Sequence, residues 1–285
     1  MKSKQPLAKG RVEQNHVGYE LGMYAKKVLG VSNRQLQKVV RTKGLLVNGR
    51  VSHSKTKLRL GDKVEAFLPR AEQIKIKPAS PGQLVILHED PWLLGVEKPV
   101  GVPSYAVEGN NGLANQVAGY FLSQDLQLTP RPLHRLDTPT SGVVVFAKDA
   151  QTQTKLSELW QQGKVKRFYW ALCQGQLTKP LELTMPLNNR KACTKVRPLH
   201  NHGDFTELEV ELVTGRTHQI RRHLALIDHP LLGDARYGTK LLENKENTRL
   251  ALHASRVCFP HPQKVGELTC ISSPIPYRDF PSINH

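Results

Sequence analysis

Residues 132–149 read PLHRLDTPTSGVVVFAKD, a short polar segment that runs directly into an apolar stretch. We predict a strand at residues 143–146. Polar groups at the end of a strand are held rigidly and still reach solvent, which suits a catalytic site. Asp137 is the candidate nucleophile or base, with Arg135 close by in sequence. On spacing alone, a turn in which Asp137 caps the backbone and Arg135 neutralises it is the more frequent arrangement.

Other chemistries fit the same residues less well. A kinase catalytic loop has His-Arg-Asp followed by an Asn, but here Leu136 intervenes and no glycine-rich phosphate loop follows. Ser141 with His134 would suggest acyl transfer, yet the flanking residues do not form a Gly-x-Ser-x-Gly elbow. The histidines of the chain lack a known metal-ligand spacing, so we expect no metal site.

A second polar segment, residues 214–238, reads TGRTHQIRRHLALIDHPLLGDARYG. Thr217 is expected to cap a helix in which Ile220, Leu224 and Ile227 form one apolar face. Such a helix can aim an arginine at a carboxylate from another strand end, and a buried Asp that faces an Arg stays ionised at neutral pH. An ordinary amphipathic helix with a basic face fits the pattern equally well.

A third segment, KVKRFYWALCQG at residues 164–175, places Tyr169 on a predicted strand of alternating large residues. An aromatic residue in such a strand usually belongs to the core. It can instead form the wall on which a flipped base stacks. Both interpretations remain open from this segment alone.

The distribution of charge indicates a polyanionic partner. The chain has 285 residues and a formal net charge of +17 at pH 7, which attracts nucleic acid. Residues 1–80 hold 18 Lys and Arg against 5 Asp and Glu, whereas the remaining 205 residues hold 23 against 19. We therefore expect a binding module at the N-terminus joined to a larger domain, although a basic surface that serves only solubility gives the same composition.

The basic region carries the local signals of a helix. Ser32 and Gln35 have the spacing of a capping box, and Leu36, Val39 and Val40 fall on one face of the helix that follows. A second stripe of this helix is basic, and we expect it to contact RNA; it consists of Arg34, Lys38 and Arg41.

A hairpin follows this helix. Gly44 lies where a helix end favours a left-handed residue, Asn48-Gly49 predicts a hairpin turn, and a Gly-Asp turn at residues 61–62 precedes another short strand. The residues VSNRQLQKVVRTKGLLVNGRV and LRLGDKVEA resemble the small RNA-binding domain found in some ribosomal proteins, tRNA synthetases and RNA-modifying enzymes. The resemblance implies contact with RNA but no chemistry.

The amino-acid composition along the chain indicates where the domain boundaries lie. Residues 71–83 contain Pro78, Pro81 and Gly82 and predict an extended linker. We therefore expect a small RNA-binding domain at 11–70, a linker at 71–83 and a catalytic domain at 84–282. Within the last, apolar residues alternate with Glu at 206–212, as in a half-solvated antiparallel strand.

The cysteines and the hydropathy pattern indicate an intracellular protein. Cys173, Cys193, Cys258 and Cys270 have no C-x-x-C spacing, which argues against a zinc site or a disulfide framework and fits a reducing compartment. The basic N-terminus is followed by no apolar run, and the apolar stretches are far shorter than the roughly 20 residues that span a bilayer. We expect a monomeric, cytoplasmic protein without membrane contact.

Together these segments resemble the RluA family of pseudouridine synthases over about residues 84–280. The family pattern of His-Arg-Leu-Asp, two residues and Thr-Ser-Gly is met at 134–142. Its Tyr-x-Ala is met at Tyr169, with Lys166 one residue further away than usual, and its Arg-Thr-His-Gln-Ile-Arg at 216–221. The chain departs from the family at residues 97–105, where Asn usually precedes Lys-Pro, which leaves the local substrate contacts open.

The resemblance implies a fold and a set of roles. The fold is α+β, with a mixed, mainly antiparallel sheet in the catalytic domain and a small α/β domain before it. Asp137 is the catalytic carboxylate, Arg221 its charge partner and Tyr169 the residue that packs against the target base. Further RNA contacts are implied for Arg135, which enters the helix to help displace the base, and for His134, Thr140 and Leu252.

The implied reaction detaches uracil from its ribose, rotates it and reattaches it through carbon 5. No cofactor is needed, because no redox step or outside group takes part. Asp137 can attack the anomeric carbon, add to carbon 6 of the ring or remove the ribose 2′ proton, and the sequence does not choose among these. Loops of ribosomal or transfer RNA are the expected targets. A non-catalytic RNA-binding or ribosome-assembly factor with the same fold is the alternative.

Overall fold

The computed structural model of the chain describes residues 6–41, 43–67, 76–105, 111–238 and 249–280. It divides into two compact units, residues 1–75 and residues 76–285. Each unit has its own hydrophobic core, and each is described by itself below.

The first unit contains a four-stranded antiparallel sheet with strand order β1-β4-β2-β3, two α-helices and a short 3-10 helix at Gln14–His16. The strands are β1 (Ala8–Arg11), β2 (Leu45–Val47), β3 (Arg50–Val51) and β4 (Lys63–Ala66), and the helices are α1 (Leu21–Lys27) and α2 (Asn33–Arg41). Its core is formed by fully buried residues such as Leu21, Tyr24, Val39 and Val64.

The expected local signals of this unit are present. The Oγ atom of Ser32 accepts a hydrogen bond from the backbone N of Gln35 at 3.3 Å, and the Gln35 side chain accepts one from the backbone N of Ser32 at 2.9 Å. Asn48 and Gly49 connect β2 to β3 with φ of 50° and 77°, as a type I′ hairpin turn requires. The capping box and the hairpin turn predicted from sequence are therefore confirmed.

Two expectations about α2 were wrong. The left-handed residue after the helix is Lys43, with φ of 53°, and not Gly44. Gly44 is needed for a different reason, because a Cβ there would lie 2.1 Å from the carbonyl oxygen of Phe67. Val40 is 38% exposed, so the buried face of the helix is narrower than expected.

The second unit is built on a ten-stranded sheet whose main path runs β10-β11-β12-β9-β13-β8-β6-β5, with β14 beside β13 and β7 beside β8. The strands are β5 (Ile86–Glu89), β6 (Leu93–Lys98), β7 (Arg131–Pro132), β8 (Ser141–Ala147), β9 (Lys166–Gln174), β10 (Leu181–Leu183), β11 (Thr194–Asn201), β12 (Phe205–Leu212), β13 (Leu252–Pro260) and β14 (Leu268–Ser272). The helices are α3 (Leu113–Ser123), α4 (Ala150–Gln161) and α5 (Gln219–Ala225).

The pairing in this sheet is mostly antiparallel. The named pairs are antiparallel except that β13 runs parallel to β8, with His253 beside Ser141 and Ala254 beside Gly142. Gly142 has φ of 113°, and a Cβ there would lie 2.2 Å from the carbonyl oxygen of Ala254, so glycine is required where the two strands approach. The predicted α+β class with a mixed, mainly antiparallel sheet is confirmed.

Two features differ from expectation in the second unit. Glu207 on β12 is buried rather than solvated, because Nε1 of Trp170 and the Tyr277 hydroxyl donate hydrogen bonds to its Oε1 at 2.6 and 2.9 Å. Cys258 and Cys270, opposite each other on β13 and β14, form a disulfide that the sequence spacing did not suggest. Strand register, which is not visible in the spacing, brings the two sulfurs together.

The second half of the expected linker packs against α3. The side-chain amide of Asn115 donates to the carbonyl of Lys77 at 2.9 Å, and the backbone N of Ala79 donates to the carbonyl of Asn115 at 3.0 Å. Gly119 allows this contact, because a Cβ there would lie 1.8 Å from the Ala79 carbonyl oxygen. In the described part of the chain, no helix has both the length and the hydropathy to cross a membrane.

Candidate active site

One cavity of about 450 Å³ opens beside the polar segment between β7 and β8. Its walls come from that segment, from α4 and β9, from the region between β12 and α5, and from the start of β13. All seven candidate residues of the second unit line it, namely His134, Arg135, Asp137, Thr140, Tyr169, Arg221 and Leu252. Segments far apart in sequence therefore meet at one place.

The loop that carries Asp137 is held by hydrogen bonds to the segment after β6. The Ser104 hydroxyl donates to the carbonyl of Leu136 at 2.8 Å and accepts from its backbone N at 3.0 Å. The backbone N of Gly101 donates to the carbonyl of Thr138 at 3.0 Å. Residues 97–105, where the sequence departs from the family pattern, thus hold the Asp137 loop in place.

Lys98 supports the same loop from within the core. Its ammonium group donates to the carbonyl oxygens of Pro99 and Val102, both at 2.8 Å, and of Thr138 at 3.1 Å. Burial lowers the pKa of Lys98 to about 8, while the nearby charge of Asp137 acts in the opposite direction. Lys98 therefore places a positive charge behind Asp137 without neutralising it by direct contact.

Asp137 itself faces the cavity. Its side chain is 24% exposed, and its Oδ2 lies 3.6 Å from Nε2 of His218. Tyr169, projecting from β9, is buried, and this burial raises the pKa of its hydroxyl; the charge of Arg167 opposes the shift and that of Asp137 adds to it. A carboxylate open to the cavity thus lies near a neutral, buried aromatic ring.

Arg221 has a different direct partner from the one expected. Its Nε and Nη2 atoms donate to the two carboxylate oxygens of Asp234 at 2.8 and 2.6 Å. Those hydrogen bonds raise the pKa of Arg221, and the charge of Asp137 contributes from a greater distance. In the described chain the carboxylate that ion-pairs with Arg221 is therefore Asp234. Asp137 receives only its longer-range field.

The start of α5 also differs from expectation. The N-terminal cap is His218, in a left-handed conformation with φ of 53° and ψ of 32°, and not Thr217. Ile220 and Leu224 are buried as predicted, whereas Ile227 lies beyond the end of the helix and is partly buried. His218, which precedes the first residue of the helix, has its Nε2 3.6 Å from the Asp137 Oδ2.

A stack of rings and a guanidinium forms another wall of the cavity. The ring of Trp160 on α4 lies 5.7 Å from the ring of His134, and the guanidinium carbon of Arg167 lies 4.6 Å from the Trp160 centroid. Arg167 also donates to the carbonyl oxygens of Leu212 and Thr214 at 2.8 and 3.1 Å. Arg167, and not the exposed Lys166, is thus the basic residue that β9 directs to the cavity.

Several polar atoms of this wall have no partner in the described chain. They are Nδ1 of His134, Oγ1 of Thr140 and Nε of Arg167, all buried. Nε2 of His134 accepts a hydrogen bond from the backbone N of Val145 at 3.3 Å, so its Nδ1 carries the proton. Three residues that line the cavity thus carry buried polar atoms whose hydrogen-bonding capacity is not used within the described chain.

Sequence reasoning missed Lys98, Trp160, Arg167, His218 and Asp234 as parts of the site. His218 and Asp234 lie in the polar segment 214–238, and their polar side chains were the signal that could have identified them as site residues. The basic residues Arg34, Lys38 and Arg41 lie on α2 of the first unit, and their side chains fall outside the described residues. Among the residues that the structure describes, no group of three His, Cys, Asp or Glu could hold a metal ion.

The fold of the second unit is that of RNA pseudouridylate synthase domains. Human RNA pseudouridylate synthase domain containing 1 superposes with a TM-score of 0.59 at 22% identity, covering 70% of this chain and 87% of that one. The corresponding human domain containing 4 protein gives a TM-score of 0.52 at 23% identity, covering 70% and 91%. At this level of identity the likeness concerns the fold alone.

Comparison of the sequence with those of known proteins identifies the family. A family model described as RNA pseudouridylate synthase matches residues 93–226. The uncharacterized RNA pseudouridine synthase YhcT of Bacillus subtilis is 35% identical over 240 residues, which are 77% of this chain and 77% of that protein. Ribosomal large subunit pseudouridine synthase D of Nitrosomonas europaea is 31% identical over 290 residues, covering 93% and 83%.

The chain belongs to the RluA-type RNA pseudouridylate synthases. It is an isomerase that acts on RNA and converts uridine to pseudouridine. This assignment confirms the family and the activity expected from the sequence, and it favours an enzyme over the non-catalytic alternative.

Proposed function

We propose that the enzyme modifies uridines in ribosomal RNA, with Asp137 as the catalytic carboxylate. The observation that carries the role of Asp137 is its position: a partly exposed carboxylate in a 450 Å³ cavity whose other walls hold Tyr169 and unpaired buried polar atoms. Support for a ribosomal target comes from relatives named ribosomal large subunit pseudouridine synthase D. Transfer RNA is the second candidate substrate.

The chemistry requires Asp137 as an anion in each of its three possible routes. The carboxylate attacks the anomeric carbon, adds to carbon 6 of the ring or removes the 2′ proton, and the glycosidic C–N bond breaks. The base then rotates, a C–C bond forms at carbon 5, and the hydrogen on carbon 5 leaves as a proton. The cavity keeps the detached base close to the sugar, so that reattachment is effectively intramolecular.

The remaining site residues have supporting roles in this proposal. Tyr169 provides the surface against which the uracil ring packs, and Leu252, 4% exposed at the start of β13, packs at the floor of the cavity. Arg135 is exposed and is free to enter the RNA and help displace the target base. Unstacking a base costs a few kcal/mol, and less in loops, which makes loop uridines the preferred targets.

The first unit supplies affinity for RNA. Its excess of Lys and Arg, including Arg34, Lys38 and Arg41, favours contact with phosphates that does not depend on base sequence. We propose an RNA-binding domain at 11–70, a linker at 71–83 whose second half packs against α3, and a catalytic domain at 84–282. We further propose that the enzyme is a monomer and acts in the cytoplasm, where ribosomal RNA is available.

Asp137→Asn tests the catalytic role. Asn is nearly isosteric with Asp but cannot be an anion, so the variant is expected to bind RNA normally and to form no pseudouridine. The measurement is release of tritium from RNA carrying 5-tritiated uridine, with ribosomal and transfer RNA fractions assayed separately. Asp125→Asn is the control, because Asp125 is exposed with φ of 57°, a conformation that Asn also tolerates. Near wild-type turnover by Asp137→Asn would contradict the catalytic role of Asp137. Release of tritium from transfer RNA alone would contradict ribosomal RNA as the substrate.

A further inference from the structure

Among the residues that the structure describes, His218 is the titratable side chain within ion-pair range of Asp137. Its Nε2 lies 3.6 Å from the Asp137 Oδ2, which is a few tenths of an ångström longer than a hydrogen bond. Catalytic hydrogen bonds are often long before substrate binds and shorten in the complex. Both side chains line the same cavity, so a bound RNA nucleotide would lie against the pair.

The other ring nitrogen of His218 is also engaged. Its Nδ1 lies 3.0 Å from the Tyr237 hydroxyl. An ionised Asp137 can only accept a hydrogen bond, so the Nε2 that faces it must carry the proton. In the neutral ring Nδ1 is then the acceptor and Tyr237 the donor, which fixes the tautomer from the side opposite Asp137.

The backbone at His218 indicates that the position is under constraint. With φ of 53° and ψ of 32°, a histidine stands in a left-handed conformation at the start of α5, and its side chain makes no capping hydrogen bond. Such conformations persist only where the surroundings impose them, and they concentrate at functional sites. Here the conformation directs the imidazole toward Asp137 and Tyr237.

Burial of His218 favours the neutral ring. Burial lowers its pKa, and Arg221 on α5 and Arg236 after it act in the same direction, while Asp137 and Asp234 oppose them. Tyr237 is a further titratable group that contacts the imidazole. At neutral pH the imidazole is therefore uncharged and has a single proton to donate.

We propose that His218 is a positioning residue whose Nε2–H group donates a hydrogen bond to the Asp137 carboxylate in the RNA complex, in the tautomer fixed by Tyr237. The hydrogen bond orients the reacting oxygen of Asp137 toward the nucleotide without neutralising the carboxylate. This inference rests on the proposed catalytic role of Asp137.

Two substitutions at His218 separate this role from a structural one. His218→Asn keeps a residue that tolerates the left-handed backbone, but its short amide cannot reach Asp137. His218→Gln is less suited to that backbone, but its amide N–H2 group extends to about the position of Nε2. Single-turnover rates and RNA affinity would be measured for both variants, for the wild type and for His200→Asn, an exposed histidine on β11 that serves as control.

If His218 positions Asp137, His218→Asn lowers the single-turnover rate by about 10- to 100-fold with RNA affinity unchanged, and His218→Gln restores most of it. If His218 is present only because it tolerates the left-handed backbone, His218→Asn should keep a higher single-turnover rate than His218→Gln. This opposite order of rates would overturn the proposal. Equal losses in both variants, or wild-type rates in His218→Asn, overturn it as well.

The pH profile gives a second readout. Protonation of His218 at acid pH pairs a cation with Asp137, so the wild-type rate falls on the acid side. His218→Gln, which cannot titrate, should keep its rate to lower pH, and coincident acid limbs would contradict the proposal. The Asp137→Asn variant separates the proposed catalytic role of Asp137 from the proposed positioning role of His218. If it is inactive while His218→Asn is fully active, only this inference fails; if it is active, the proposed function fails.

Discussion

Removal of the Asp234 carboxylate tests how Arg221 is held beside the cavity. The Asp234 side chain is 0% exposed and binds the Arg221 guanidinium in a bidentate manner. It also accepts hydrogen bonds from the backbone N atoms of Arg236 at 3.0 Å and Tyr237 at 3.1 Å. One buried carboxylate therefore fixes both the arginine that lines the cavity and the segment that carries Tyr237.

The expected effect of Asp234→Ala follows from this geometry. Arg221 is only 7% exposed, so the substitution leaves a buried guanidinium without its counter-charge and two N–H groups without an acceptor. Removal of one partner of a buried ion pair costs about 3–5 kcal/mol. Since about 1 kcal/mol corresponds to roughly 2–4 °C in a domain of this size, we expect a Tm lower by about 6–20 °C.

Tryptophan fluorescence is a suitable assay, because all three tryptophans, Trp92, Trp160 and Trp170, lie in the second unit and report its unfolding. Asp279→Asn is the matched control. Asp279 accepts a hydrogen bond from Arg249 at 2.7 Å, but its side chain is 48% exposed, and such pairs contribute about 0–1 kcal/mol. A free energy of unfolding for Asp234→Ala within about 1 kcal/mol of wild type would refute the reasoning.

The same pair gives a pH dependence. Burial acts to raise the pKa of Asp234, but the hydrogen bonds from Arg221 and from backbone N–H groups bring it below its ordinary value of 3.8. A carboxyl whose pKa is lower in the folded state stabilises the fold above its ordinary pKa, and this contribution is lost as the pH falls through the folded value. The stability difference between wild type and Asp234→Asn should therefore be full near pH 7 and shrink below about pH 4.

Two further predictions concern the disulfide and the first unit. Cys258→Ser opens the link between β13 and β14, which encloses a loop with a sequence separation of 12, and should lower the free energy of unfolding by up to about 3 kcal/mol in oxidising buffer. An equal loss under reducing conditions would contradict this, because the wild type then lacks the bond as well. A chain of residues 76–285 should bind ribosomal RNA more weakly and with a smaller salt dependence than the full chain, while still forming pseudouridine at high enzyme concentration. Equal slopes of log affinity against log salt for the two chains would show that the first unit does not contact phosphates.

Local structure was predictable from the sequence where the signals are local. The capping box at Ser32 and the Asn48-Gly49 turn depend on residues within about one turn of each other, so their geometry is encoded in neighbouring side chains. The polar segment before β8 likewise placed Asp137 at the end of a strand. The alternation of residues along β9 placed Tyr169 on a strand. The ordered motifs, rather than any single residue, led from there to the family.

The partners of these residues depended on the tertiary structure. The family resemblance implied that Arg221 is the charge partner of Asp137, yet Arg221 forms its ion pair with Asp234, because the chain after α5 brings the Asp234 carboxylate to the guanidinium. Glu207 alternates like a solvated residue, but Trp170 and Tyr277 from distant segments enclose it. Such contacts follow from strand register and packing, which join residues too far apart in sequence for any local pattern to record.

The sequence by itself determined that the chain holds a basic module, an ionisable Asp137 in a polar loop and a set of motifs in a fixed order. The tertiary structure alone decided which side chains surround Asp137. The parallel pairing of β8 with β13, possible because Gly142 has no Cβ, brings Leu252 beside the Asp137 loop. The left-handed turn at His218 brings the imidazole to the same place, because only the packed fold holds a histidine in that conformation.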